Sequence, residues 1–296
     1  MTSDPREPTP PLADAPPARA DAAPRVDVMM WPTAPWREAK ADWLRAEELG
    51  FGRAWLFDHV AWRDLRPWFD AYATLAAAAA VTSRIGLGTL VTAPGFRHPV
   101  TTAKAALAID DISGGRFSLG VGAGGNSSDV RVTGEGPWPP KEKADRFAEW
   151  VTLVDTLLSA EETTHHGPTW SAENAWTGGA LPRIPLTIAG TGPRGIRLAA
   201  RYAQTWVTQD VGDPKAQVEA LDAACAATGR HVDRLMLLGT GDSRPLASVA
   251  AFRDCVGRYT EMGFGAFVLH WPRADGHFRA DMRVLEAVAA EFNAPR

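Results

Sequence analysis

An acid and an imidazole stand side by side at Asp58-His59, directly after the apolar run 53–57. Histidine titrates near neutrality, so at a strand end it can give or take a proton beside a reacting carbon. A histidine bonded only to backbone would look the same in sequence. Gly190-Thr191-Gly192-Pro193 is a second candidate because a helical pattern starts immediately behind it. Proline suits the first turn of a helix, and the free amides there attract anions, so these residues read as a phosphate cradle or as a plain strand-to-helix turn. Gly120-Val121-Gly122-Ala123-Gly124-Gly125 matches the dinucleotide pattern G-x-G-x-x-G. That pattern needs a helix at once, and roughly twenty loop residues follow instead, so the Rossmann reading fails. The glycines would still let a flat ring system lie close to the backbone. His165-His166 has the look of a metal pair, but adjacent side chains diverge and no third ligand stands nearby, so no metal is expected. No Ser/His/Asp set occurs in a nucleophile-elbow context.

These residues need elements to position them. From Val26 onward, short apolar runs alternate with longer amphipathic ones. Strands are predicted at 26–31, 53–57, 85–91, 117–121, 185–189, 205–208, 234–238 and 266–270. Helices are predicted at 36–49, 70–83, 100–112, 144–158, 194–202, 215–227, 246–262 and 278–292. Eight strand–helix units imply parallel right-handed crossovers and point to an α/β fold of the (β/α)8 TIM-barrel type, with an open doubly wound sheet as the alternative. In such a barrel the site lies where strands end. That gathers Trp31, Asp58-His59, the stretch from Thr89 to Pro99, Gly122 to Asn126, Gly190 to Pro193, Gln209-Asp210 and His270-Trp271 at one mouth. Two extended loops, 122–141 after the fourth strand and 163–183 before the fifth, carry Trp138, Trp170 and Trp176 and are expected to cover that mouth.

Composition narrows the partners. Of 296 residues, 45% are apolar and 22% charged, with a net charge of −4, which argues against a nucleic-acid or anionic-membrane surface. Apolar runs are too short to span a bilayer, and the two cysteines, Cys225 and Cys255, read as buried thiols in a reducing cytoplasm. Residues 1–24 are rich in Pro, Ala, Asp and Arg and poor in bulky apolar side chains, so a disordered tail is expected there, with one domain over 25–296.

Several segments, taken in order, resemble the luciferase-like superfamily of flavin- and deazaflavin-dependent oxidoreductases. They are Leu56-Phe57-Asp58-His59, Leu87-Gly88-Thr89-Leu90-Val91, His98-Pro99 with Ala103-Lys104, Asp110-Asp111-Ile112-Ser113-Gly114-Gly115-Arg116, Leu119 to Gly124, and Ile188 to Pro193. The resemblance implies a luciferase-like barrel with a cofactor ring on a bulge in the third strand, its non-prolyl cis peptide matched to Thr89–Leu90. It implies cofactor contacts from Asp58, His59, Thr89, Leu90, Gly122, Ala123, Gly124, Asn126, Ala189, Gly190, Thr191, Gly192 and Pro193. His59 would be the acid/base, with Asp58 orienting it or the cofactor. Asp110 and Arg116 look structural. Phe57-Asp58-His59 and the Ala-Gly-x-Asn loop resemble members that use coenzyme F420, and the expected function is hydride transfer between F420 and a small organic substrate. That covers reduction of a C=C or C=N bond, or oxidation of an alcohol. The alternatives are an FMN-dependent monooxygenase and a non-catalytic flavin-binding protein. A homodimer, and a flavin or F420 reductase supplying reduced cofactor, are the partners the resemblance implies. The chain departs from the family at Gly125-Asn126-Ser127, where members often carry a large or acidic residue.

Overall fold

The computed structural model describes residues 24–293 apart from 64, 125, 126, 135 and 179–182. Eight parallel strands close a barrel: β1 (Arg25–Met30), β2 (Arg53–Leu56), β3 (Gly86–Thr89), β4 (Phe117–Gly122), β7 (Leu186–Ala189), β8 (Thr205–Gln209), β9 (Asp233–Leu237) and β10 (Ala266–His270). A separate antiparallel hairpin consists of β5 (Glu162–His166) and β6 (Ser171–Trp176). Closure is explicit, since β1 pairs with β2 on one side and with β10 on the other. The open-sheet alternative is thereby excluded. The helices are α1 (Trp36–Glu48), α2 (Ala71–Val81), α3 (Pro99–Ser113), α4 (Ser127–Thr133), α5 (Pro140–Ser159), α6 (Pro193–Tyr202), α7 (Pro214–Thr228), α8 (Val249–Thr260) and α9 (Met282–Phe292). Among the described residues no helix is long and apolar enough to cross a membrane.

The strands are buried on both faces, which is why they read as continuous apolar runs. Alternation along each strand then splits the core in two. Met29, Trp55, Phe57, Leu235, Leu237, Ala266 and Val268 pack together inside the barrel. Val28, Ala54, Leu56, Phe267 and Leu269 face outward into the layer under the helices. Local signals set the helix ends. Asp70, Asp213, Ser248 and Asp281 cap their helices by accepting a first-turn amide. Gly114 closes α3 at φ 67°, a conformation that suits glycine. Behind it Arg116 donates to the carbonyls of Ala79, Thr82 and Ile85, and Asp110 accepts from the Phe117 amide. Arg116 ties the α3–β4 turn to the end of α2, and Asp110 closes the turn itself.

The largest departures lie in the two long loops, while α8 is trimmed to 249–260 and α9 starts at Met282, which leaves Phe278 in the β10–α9 connection. The first loop contains α4, and α5 begins at Pro140 rather than at 144, because a proline in the first turn costs no hydrogen bond. The second contains the β5–β6 hairpin, whose alternation of mostly polar residues carries too little apolar contrast to be recognised as strand. Of the tail expected over 1–24, residues 1–23 lie outside the described residues.

Candidate functional site

At the C-terminal mouth the barrel is filled unequally. On one side Trp31, Phe57 and His270 project inward and pack on one another, with ring centroids 5.2 to 5.9 Å apart. Trp62 and Phe278 come in from the loops to lie against them. On the other side β4 and β7 end in Gly122, Ala123, Gly124, Ala189 and Gly190, and a cavity of about 400 Å³ opens over these small residues. Leu90, Val91, Val207 and Leu237 give it apolar walls, while His59, Asp129, Thr191, Thr208 and Gln209 add the polar groups. A volume of that size suits a small molecule or a flat ring system.

The cavity exists because side chains are missing where backbones converge. A Cβ at Gly120 would sit 1.9 Å from the Thr89 carbonyl oxygen, and one at Gly122 would sit 2.7 Å from Val91 Cγ2. Gly190 and Gly195 approach equally closely, 2.8 Å from a Cβ on the first to the Cα of the second. That contact brings the first turn of α6 up to the end of β7. Gly192 caps this helix without a side-chain bond, so no side chain competes at its positive end.

His59 lies on the cavity wall, and its orientation is set from across the mouth. Its Nδ1 lies 2.7 Å from Asp129 Oδ2. Asp129, on α4, is buried and also accepts from the Val60 and Ala61 amides through Oδ1, at 2.8 and 3.0 Å. With Nδ1 engaged, Nε2 is the nitrogen left for a ligand. The ring is stacked on Trp62 and edged by Trp68.

Asp58 does not orient His59, contrary to the expectation from their adjacency. Beyond the end of β2 the two side chains diverge, each to its own partners. Asp58 is wholly buried and is held by Arg97 through two bonds of 3.0 and 2.6 Å and by the Thr92 hydroxyl at 2.8 Å. Burial pushes its carboxyl up, while Arg97 and Thr92 pull it back. Arg97 continues to Asp70, the cap of α2, so this network pins the loop after β3 to the start of α2.

The other expected residues divide. His59, Leu90, Gly122, Ala123, Gly124, Ala189, Gly190 and Thr191 line the cavity. Thr89 does not; it is fully buried, with its hydroxyl on the Gly120 carbonyl. The cis peptide is Leu90–Val91, one bond later than the Thr89–Leu90 match. Gly192 and Pro193 stand at the exposed rim, just beyond the lining, and Asn126 lies outside the described residues. Trp138 belongs to a smaller neighbouring cavity. Trp170 and Trp176 do not cover the mouth. The hairpin that carries them runs along α5, with Trp170 bonded to Arg146 and Glu149 and Trp176 70% exposed. His165 and His166 diverge to Glu149 and Glu173. Asp129, Trp62, Trp68 and Phe278 went unrecognised in the sequence. Only Trp62 and Trp68 left a trace there, as large apolar side chains in a loop, whereas Phe278 read as the start of the last helix.

The fold and the site together define a (β/α)8 barrel with a glycine-floored ligand cavity at its strand ends and a carboxylate-held histidine on the wall. The family model described as luciferase-like monooxygenase matches residues 17–241, and the chain belongs to that family. The F420-dependent glucose-6-phosphate dehydrogenase of Microbacterium testaceum is 33% identical over 207 residues, 64% of this chain and 60% of that enzyme. The F420-dependent hydroxymycolic acid dehydrogenase of Mycobacterium tuberculosis is 33% identical over 222 residues, 69% of this chain and 59% of that one. The aligned region is therefore about 60% of these relatives' length. A solved F420-dependent secondary alcohol dehydrogenase, in complex with an F420-acetone adduct, shares the fold at TM-score 0.74 and 20% identity, over 90% of this chain and 99% of that one.

Proposed function

We propose that the chain is an F420-dependent oxidoreductase acting on a small organic substrate, with His59 as its acid/base. The observation that carries this reading is the 400 Å³ cavity with His59, held by Asp129, on its wall. The residues present fit a deazaflavin. Gly122, Ala123, Gly124, Ala189 and Gly190 would underlie a planar ring, and Leu90, Val91, Val207 and Leu237 would flank it. Thr191 and the first turn of α6 would face an anionic tail. When bound, the deazaflavin supplies a two-electron hydride acceptor or donor. In alcohol oxidation His59 Nε2 would take up the hydroxyl proton; in reduction of a C=C or C=N bond it would deliver a proton to the substrate. Asp129 is a positioning residue that keeps the proton of a neutral imidazole on Nδ1, so Nε2 can accept. Relatives named for F420 dependence at 33% identity support the choice of cofactor.

FMN-dependent monooxygenation is the second reading, favoured by the family's own description. Parallel titrations with F420 and FMN, followed by quenching of tryptophan fluorescence, separate the two. Micromolar or tighter binding of F420 with weak FMN binding is expected. The reverse result would transfer the assignment to FMN, and binding of neither would remove both readings.

A further inference from the structure

A second cavity of about 180 Å³ lies between the β9–α8 and β10–α9 connections, lined by Leu238, Pro245, Leu246, Ala280, Phe278 and His270. His270 ends β10 and is 95% removed from solvent, yet neither Nδ1 nor Nε2 has a hydrogen-bond partner. A buried polar group without a partner is rare and costly, and a ligand is one reason to keep it. We propose that this cavity is a subsite for a single six-membered ring carrying one uncharged hydroxyl or carbonyl oxygen, hydrogen-bonded to His270.

Size sets the ring, since an apolar cavity of about 150 Å³ accommodates one benzene. Charge sets the polar group. Burial pushes the His270 imidazole down to about 3, so near neutrality it offers one donor and one acceptor and no charge. Trp31, Phe57 and Phe278 pack against it and offer a charged ligand no compensation. The remaining polar groups are occupied or at the rim. Ser243 Oγ is bound to Asp210, His277 Nε2 lies 2.9 Å from the Gly239 carbonyl, Arg244 donates to the Gly241 and Ser243 carbonyls, and Arg279 is exposed. Gly239 keeps the imidazole edge open to the cavity, since a Cβ there would meet His270 Cδ2 at 3.7 Å. Both nitrogens are sealed from solvent, and the Phe278 ring packs against the imidazole with its centroid 4.1 Å away. It must shift as the ligand enters, and its neighbours His277 and Arg279 are both exposed. Phe57 lines the large cavity and also stacks on His270, so the two spaces adjoin. That the ring bound here is the molecule exchanging hydride rests on the reading above; the subsite itself does not.

The test uses the purified chain without cofactor and three probes of similar shape: phenol, toluene and benzoate. Binding is followed by NMR of the imidazole Cε1–H resonances, with the His270 signal assigned by its loss in His270→Leu. Phenol should shift that signal saturably and bind about five- to tenfold more tightly than toluene, the strength of one neutral hydrogen bond. His270→Leu should abolish the preference while toluene binding stays within about twofold, and Ala280→Phe should block both probes. Equal binding of phenol and toluene, a preference that survives His270→Leu, tighter binding of benzoate, or no binding of any probe would each overturn the proposal. F420 titrations of the same samples keep the two readings apart. A chain that discriminates phenol but does not bind F420 retains the subsite and loses the redox assignment, and the opposite pattern does the reverse.

Discussion

At the scale of single residues, the chemistry turns on which carboxylate holds which base. His59 is fixed by Asp129, whereas Asp58 is committed to Arg97 and Thr92. These two acids should therefore fail differently. His59→Gln should lower turnover by about 10² to 10⁴-fold, the usual worth of a general acid/base, with F420 affinity changed only a few-fold. Asp129→Asn replaces an acceptor by an amide that can donate to Nδ1, which moves the imidazole proton to Nε2 and removes the base. Turnover in the alcohol-oxidising direction should fall by roughly 10- to 1000-fold, and Asp129→Glu should recover part of it. Wild-type kcat in both variants would show that the contact is only structural. Asp58→Asn, by contrast, leaves Arg97 half-enclosed without its main counter-charge and should cost about 3 kcal/mol of stability in urea unfolding.

At the scale of elements, the cavity is a product of strand ends that lack side chains. Gly122→Ala adds a methyl 2.7 Å from Val91 Cγ2, on the cavity floor. Displacing Val91 should cost about 1 to 3 kcal/mol in thermal or urea unfolding, and F420 should bind at least tenfold more weakly. Retained affinity would mean the cofactor does not use this floor. The glycines were legible in the sequence as strand-exit residues, and the helix starting at Pro193 marked the α6 end. The hairpin and α4 were not. Their residues are mostly polar and owe their structure to packing on α5 and to the Asp129 bonds, not to local periodicity.

For the whole molecule, acid should act through His270. Its folded pKa is depressed to about 3, below the value of 6.5 of an unfolded histidine, so the unfolded chain binds the extra proton. This group's effect is absent above about pH 6.5 and destabilises the fold by about 1.4 kcal/mol per pH unit on going lower, until the folded pKa is reached. His270→Leu should flatten the fall in unfolding free energy between pH 6.5 and 4, measured by urea titration at each pH. An unchanged slope would show that the imidazole is hydrated or already protonated in the fold. The order of the eight barrel strands and their helices and most of the cavity floor were determined by the sequence itself, because each depends on local apolar periodicity, glycine positions and helix caps, whereas closure rests on the pairing of β1 with β10. Which acid meets His59, which tryptophans reach the mouth and which histidine is left without a partner were decided only by the tertiary structure. Asp129 is 70 residues from His59 and His270 is 239 from Trp31 in a 296-residue chain, and no local pattern records a contact made by closing the barrel.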